Sequence, residues 1–418
     1  MKTFIIVIGA TFLFVSCGVN RSSEEGIATV QLFDRNGFSE TISTPERVAM
    51  LEKNDFLAPQ PYQKVICIYK KNSEGKAHSK LTTYHENGIV WQYLETVNGR
   101  ANGAYKEWFP SGALRMSVNV IEGIGDLAQE AQTSWLFDGK STVWDEEGRV
   151  VAEIIYEKGK LEGDSIYYHS NGAISKRIPY RNDQIEGAIE LFNAERECIG
   201  TMHYLHGKKE GSSTYAGDRL IPKREEEYKA GLLISGKYFD FSGDLLSEVV
   251  SGYGKKSIFK NGILAVQQEY RNGEPEGEVS LYREDSSLES TYHVQHGQKQ
   301  GEEWCYYATS QPMLHIHWNE DEINGLVRTW YPNGVLESEK EISHNKKHGL
   351  LLAWYIDGSL MLVEEYEHDT LVNGKYFRKG EDVAASKVIN GSGYATLFDR
   401  DGSMIKKIEY QKGNPSDS

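Results

Sequence analysis

Residues 349–360 read Gly349-Leu350-Leu351-Leu352-Ala353-Trp354-Tyr355-Ile356-Asp357-Gly358-Ser359-Leu360, and this stretch sets the grammar of the chain. Counted from its turn glycine, Gly358, a second glycine lies nine residues before, an aromatic four before, and an apolar residue two after. The same offsets recur along the sequence. Glycines step by 24 residues through Gly139, Gly163, Gly187 and Gly211, and again through Gly277, Gly301, Gly325 and Gly349. The aromatic column includes Tyr84, Trp108, Trp144, Tyr168, Tyr306 and Trp330; the units carrying Ala216 and Ile258 there lack it. The apolar column includes Val90, Leu114, Ile174, Cys198 and Leu336. Eight residues after the turn a second aromatic column runs through Tyr156, Tyr180, Tyr204, Tyr228, Tyr270, Trp318, Tyr366 and Tyr410. Columns at a fixed period of this length indicate a repeat architecture.

Each unit reads as a β-hairpin. In Tyr331-Pro332-Asn333-Gly334-Val335 the proline presets φ, the asparagine tolerates the next corner, and the glycine supplies the left-handed residue of a three-residue bulged loop. The flanking segments are strand-length and rich in Tyr, Trp, Val, Ile and Thr. One hairpin is marginal in water, whereas stacked hairpins bury a continuous stripe. Strand parity predicts Trp330 and its column on the buried face and Tyr331 on the opposite one. Neighbouring strands about 4.8 Å apart add roughly 9–10 Å per repeat. The expected fold is therefore all-β: an elongated, twisted antiparallel meander, or β-hairpin solenoid, with minor helical insertions.

The pattern G-x4-[WY]-Y-x2-G-x-L-x5-[YW]-x-x-G resembles the bacterial variant of the MORN repeat, a family that includes YwqK-like antitoxins. The resemblance covers residues 79–413 and extends to 28–37, where ATVQLFDRNG echoes the ATLFDRDG of residues 395–402. It implies a scaffold or binding surface and brings no catalytic residues with it. A cytoplasmic antitoxin-like inhibitor of a partner protein is the alternative reading, and it conflicts with the N-terminus.

That N-terminus, MKTFIIVIGATFLFVS, has one lysine followed by a nearly unbroken apolar run, with the proportions of a signal peptide rather than of a membrane span. It ends in Phe14-Val15-Ser16-Cys17, which resembles the lipobox of bacterial lipoproteins; the resemblance makes Cys17 the lipidated residue and the mature N-terminus. Residues 1–16 are thus expected as leader, 17–27 as lipidated cysteine and tether, 28–78 as an atypical cap, 79–413 as the repeat array and 414–418 as a disordered tail. The expected address is the bacterial cell envelope, at the outer membrane.

Composition narrows the functions further. A net charge of −15 on 418 residues excludes a general nucleic-acid binder, which needs a basic face, and disfavours docking on anionic headgroups. Hydrophobic residues at 39% and aromatics at 11% exclude a disordered chain, and four cysteines exclude a disulfide scaffold. Gly231-Leu232-Leu233-Ile234-Ser235-Gly236-Lys237-Tyr238 nearly spells a P-loop, but Tyr238 stands where a Mg²⁺-holding hydroxyl is needed, and both glycines read as turn residues. No nucleotide or other cofactor is expected. His315 and His317 share a strand face, and His203/His206, His293/His296 and His344/His348 are close in sequence, but a metal centre needs three or four converging ligands. Cys67, Cys198 and Cys305 read as small apolar residues without a placed base. The reading is a non-enzyme that binds an unidentified protein partner; an envelope hydrolase hidden in the insertions is the rival from another class.

Three segments break the rhythm: 44–78, where Thr44-Pro45-Glu46 predicts a short helix; 121–134, where residues 126–132 predict a helical turn; and the compressed unit at 243–262. As interruptions of a solenoid, they are the expected places of partner contact.

Overall fold

A computed structural model describes residues 26–219 and 221–416. The leader, Cys17 and residues 417 and 418 lie outside the described residues. The chain divides into two compact units, Met1–Gly172 and Ala173–Ser418. In each, antiparallel strands follow one another as a meander, most of them pairing with their neighbours in sequence. Leu336–Ser343, for example, pairs with Glu322–Trp330 on one side and Lys346–Trp354 on the other. At the start of the first unit, Ile27–Phe33 pairs with both Ser39–Ile42 and Lys64–Tyr69.

Two kinds of link alternate along the meander. The first is the bulged loop expected from the sequence. The ladder shifts register between Thr329 and Trp330, Gly334 takes a φ of 86°, and its amide donates to the Tyr331 carbonyl at 2.8 Å. The second is a two-residue turn in which both residues have positive φ: Glu320-Asp321 (50° and 65°), His344-Asn345 (48° and 63°) and His368-Asp369 (49° and 68°). This mirror-image turn matches the twist of the flanking strands, and the short polar side chains of Asn and Asp tolerate the left-handed conformation.

Both edges also tie one repeat to the next. At the bulged-loop edge, tyrosine hydroxyls donate to carbonyls one repeat on: Tyr307 to Trp330 (2.7 Å), Tyr331 to Trp354 (2.9 Å) and Tyr355 to Phe377 (2.7 Å). At the opposite edge, Asp321, Asn345 and Asp369 each make a two-point clasp. The Asp369 amide donates to the Lys347 carbonyl at 2.9 Å, while its Oδ1 accepts from the Lys347 amide at 2.8 Å. Each such bond contributes about 1 kcal/mol, so the edges add to what the face supplies.

These ties correct the expectation for Trp330 and Tyr331. Tyr331 is 4% exposed and Tyr355 is fully buried, whereas Trp330 is only half-buried. Parity counting fails because Tyr331 lies past the end of the strand Glu322–Trp330, where strand alternation no longer applies; the bulge's extra residue, Glu337, belongs to the partner strand. The loop then turns Tyr331 along the edge, over the following repeat.

The helices form where expected: Pro45–Leu51, with proline in its first turn, and Gln129–Gln132. Thr44 precedes the first helix without a side-chain cap bond. Both insertions pack onto the first unit's own sheet rather than standing clear of it. Val48 joins Val30, Leu32, Val65, Cys67 and Tyr84, and the Tyr84 hydroxyl donates to the Phe56 carbonyl at 2.7 Å. Leu127 and Trp135 cover Leu94, Tyr105 and Val120, with the Trp135 and Tyr105 rings edge-to-face at 4.9 Å. Lys64 and Asp126 pair at 2.6 Å and join the two insertions.

Candidate functional site

His315 and His317 part company. His315 is buried, stacked on Trp304 with ring centroids 4.1 Å apart, and its Nε2 lies 3.7 Å from a Glu302 carboxylate oxygen. Burial pushes its pKa down against the pull of Glu302. His317 is exposed, and its ring lies against Gly325 instead. Among the described residues no group of three or more His, Cys, Asp or Glu could hold a metal ion. Cys67 is buried, and desolvation pushes its thiol up to about 11; burial raises Cys305 too. Cys198 is exposed, although its column predicts an apolar, covered position.

The P-loop-like stretch has a different physical meaning. Gly231 is a turn residue, with a φ of 90°, but Gly236 lies inside the strand Leu232–Phe239. A Cβ on Gly236 would stand 2.6 Å from the Tyr238 hydroxyl, so the glycine clears the space over which that ring lies. Gly236 pairs directly with Glu226 across the ladder, and folding over the glycine brings the Tyr238 hydroxyl to Glu226 at 2.8 Å. Lys256 donates to the same carboxylate at 2.6 Å. Burial opposes the Glu226 charge. The charge and hydrogen bond of Lys256, the Tyr238 hydroxyl and the charge of Lys209 outweigh that and hold the carboxyl below the usual glutamate range.

The arrangement occurs twice. Glu364, Tyr366, Gly374 and Tyr376 repeat Glu226, Tyr228, Gly236 and Tyr238 at a spacing of 138 residues. Tyr376 again folds over its glycine and donates to Glu364 at 2.7 Å, and Tyr366 donates at 3.0 Å. Sequence reasoning missed this duplication. The signal was the recurrence of Glu-x-Tyr followed by Gly-Lys-Tyr-Phe. Both clusters are closed and fully engaged internally, so they brace the sheet rather than present groups to a substrate.

Surface features are shallower. In the first unit Arg35, Gln63, Tyr84, His85, Glu86 and Trp91 line an open cleft. Its polar groups already serve the backbone: His85 Nε2 bonds the Trp108 carbonyl at 2.9 Å, and the Arg35 guanidinium donates to the His85 carbonyl. In the second unit the hairpin Ala384–Ile389 and Ser392–Phe398 exposes Val383, Ile389 and Tyr394, and the compressed hairpin, Leu245–Val250 and Tyr253–Lys260, exposes more. Phe241, Leu245, Leu246, Val250 and Tyr253 are all exposed there, and Phe241 meets Phe259 edge-to-face at 5.5 Å. Among the described residues no helix is long and apolar enough to cross a membrane.

Fold and surface together define a hairpin-repeat protein with closed polar braces. Residues 161–182 and 323–343 match the family model described as MORN repeat variant. No curated protein matches the chain. Solved structures similar to it include the crystal structure of TcdB2-TccC3-TEV, at 11% identity over 90% of this chain and 28% of that one, with a TM-score of 0.17. The Photorhabdus luminescens Tc holotoxin pore is another, at 11% identity over 92% of this chain and 25% of that one, with a TM-score of 0.14. The chain spans about a quarter of the length of these structures.

Proposed function

We propose that the chain is a non-enzymatic scaffold, lipid-anchored through Cys17 at the bacterial envelope, whose repeat surface binds a protein partner. Repeats of the MORN family suggest a scaffold or binding role. The leader and Cys17 support the anchor: acyl chains contribute roughly 0.8 kcal/mol per buried CH₂ to membrane affinity. The observation that carries the binding role is the compressed hairpin. The insertions at 44–78 and 121–134 bury Val48 and Leu127 against their own sheet and leave Met50, Leu57 and Ile124 exposed one at a time, whereas Phe241, Leu245, Leu246, Val250 and Tyr253 are all exposed on one hairpin. A group of exposed apolar side chains of this kind fits an interface with another protein.

Two experiments test the reading. Cys17→Ser should abolish labelling by a fatty-acid probe and move the protein out of the detergent phase; unchanged partitioning contradicts the anchor. A photo-crosslinking residue at Val250 should give a discrete adduct in cells, absent from Lys387 and lost on Leu246→Glu. Equal crosslinking at both sites contradicts binding through this hairpin.

A further inference from the structure

At the edge carrying the two-residue turns in the second unit, one repeat differs from three that share an arrangement. In three repeats a Glu or Gln side chain accepts a hydrogen bond from the amide of the turn residue 20 positions later. Glu186 accepts from His206 (2.6 Å), Glu210 from Ala230 (2.5 Å) and Gln300 from Glu320 (2.9 Å). His348 stands at that place for the turn residue His368. The result is a pair of exposed imidazoles with ring centroids 4.8 Å apart and planes inclined by 53°. The backbone beneath them is fixed by the clasp between Asp369 and Lys347.

We propose that His348 and His368 together bind a divalent transition-metal ion such as Zn²⁺ or Ni²⁺. An imidazole nitrogen sits about 2.0–2.1 Å from such an ion, and the ring centre lies roughly 1.1 Å behind the nitrogen. Two arms of that length, meeting at the ion at about 90–109°, put the ring centroids roughly 4.5–5.2 Å apart. The observed 4.8 Å falls inside that interval before any ion is present. Imidazole donors select Zn²⁺, Ni²⁺ and Cu²⁺ over Mg²⁺ and Ca²⁺, which prefer oxygen. Two donors fall short of the three or four that make a built metal centre, so water fills the remaining positions and the site is an open, weakly binding one. The earlier copy of this segment has Glu210 and Ala230 at the matching positions, already bonded to each other, and lacks the pair.

The test uses the full chain, stripped with a chelator and titrated calorimetrically with ZnCl₂. His348→Gln and His368→Gln should each weaken the tightest site at least tenfold, while His344→Gln, one repeat away, should leave it unchanged. MgCl₂ should give no binding. The double variant His348→Glu/His368→Ala, which installs the pair of the earlier copy, should keep the wild-type circular dichroism and lose the site, so loss of metal is separable from loss of fold. A wild-type chain that takes up no Zn²⁺, or histidine variants that bind as the wild type does, overturns the proposal.

Discussion

The second unit contains one design executed twice, at residues 224–260 and again at 362–398. Tyr228, Leu233, Tyr238 and Val249 form the buried cluster of the first copy; Tyr366, Leu371, Tyr376 and Val388 form that of the second. Gly254 and Gly393 hold the same φ of 139°, and two residues beyond them the copies diverge: Lys256 in one, Ala395 in the other. Glu226 is therefore held by an ammonium as well as by tyrosine hydroxyls, whereas Glu364 is held by tyrosine hydroxyls beside a buried alanine. The same backbone is reached with and without a buried ion pair. The pair is thus not what specifies the fold, in keeping with the small net gain that buried pairs bring.

The comparison breaks most visibly at the lysine. Lys256→Ala strands Glu226, whose side chain is only 2% exposed, and should cost about 3 kcal/mol, the low end for removing one partner of a buried pair. Ala395→Gly, at the matching place, removes no partner from Glu364 and should cost about 1 kcal/mol or less. Urea midpoints of the two variants read the difference; equal losses would mean that the copies are not braced differently.

Next in size are the glycines, which the copies share. Gly236→Ala and Gly374→Ala would each put a methyl group 2.6–2.7 Å from a buried tyrosine hydroxyl and should cost about 1–3 kcal/mol apiece, equally in both copies. Thermal unfolding measures both.

Acid sharpens the contrast by a smaller amount. The folded-state pKa of Glu226 is depressed, so its contribution is complete above the ordinary glutamate range and is lost as the pH falls through the folded value. Lowering the pH below about 4 should therefore open the first copy more in the wild type than in Lys256→Ala, where that contribution is already gone. Amide exchange of residues 224–260 across that range reports the difference.

The smallest effect is at the loop edge. Tyr331→Phe removes the bond to the Trp354 carbonyl and should cost about 1 kcal/mol, visible as a modest drop in the urea midpoint.

The repeat, its hairpins and the short helix after Thr44 were legible because each rests on local chemistry: column spacing, Pro and Gly at loop corners, a proline opening a helix. The burial of Tyr331 was not, since the residue lies past the strand's end, where the loop rather than strand parity sets its direction. Gly236 misled for a related reason: a glycine cleared for a ring lying over its own strand looks, in sequence, like a glycine in a turn. The His348–His368 pair joins residues 20 apart across two strands, whereas the sequence pairs considered were neighbours. The insertions read as interruptions because nothing local shows that Leu127 and Trp135 pack back on the sheet.

The central claim is that these copies are stabilised locally, each by its own braces and its adjoining repeats. Hydrogen exchange on full-length Gly374→Ala tests it directly, because one experiment reads both copies in one molecule. The account predicts that amides of residues 362–398 lose protection while those of 224–260 keep theirs. Equal loss in the two segments would contradict it, and would mean that the second unit opens as one cooperative body.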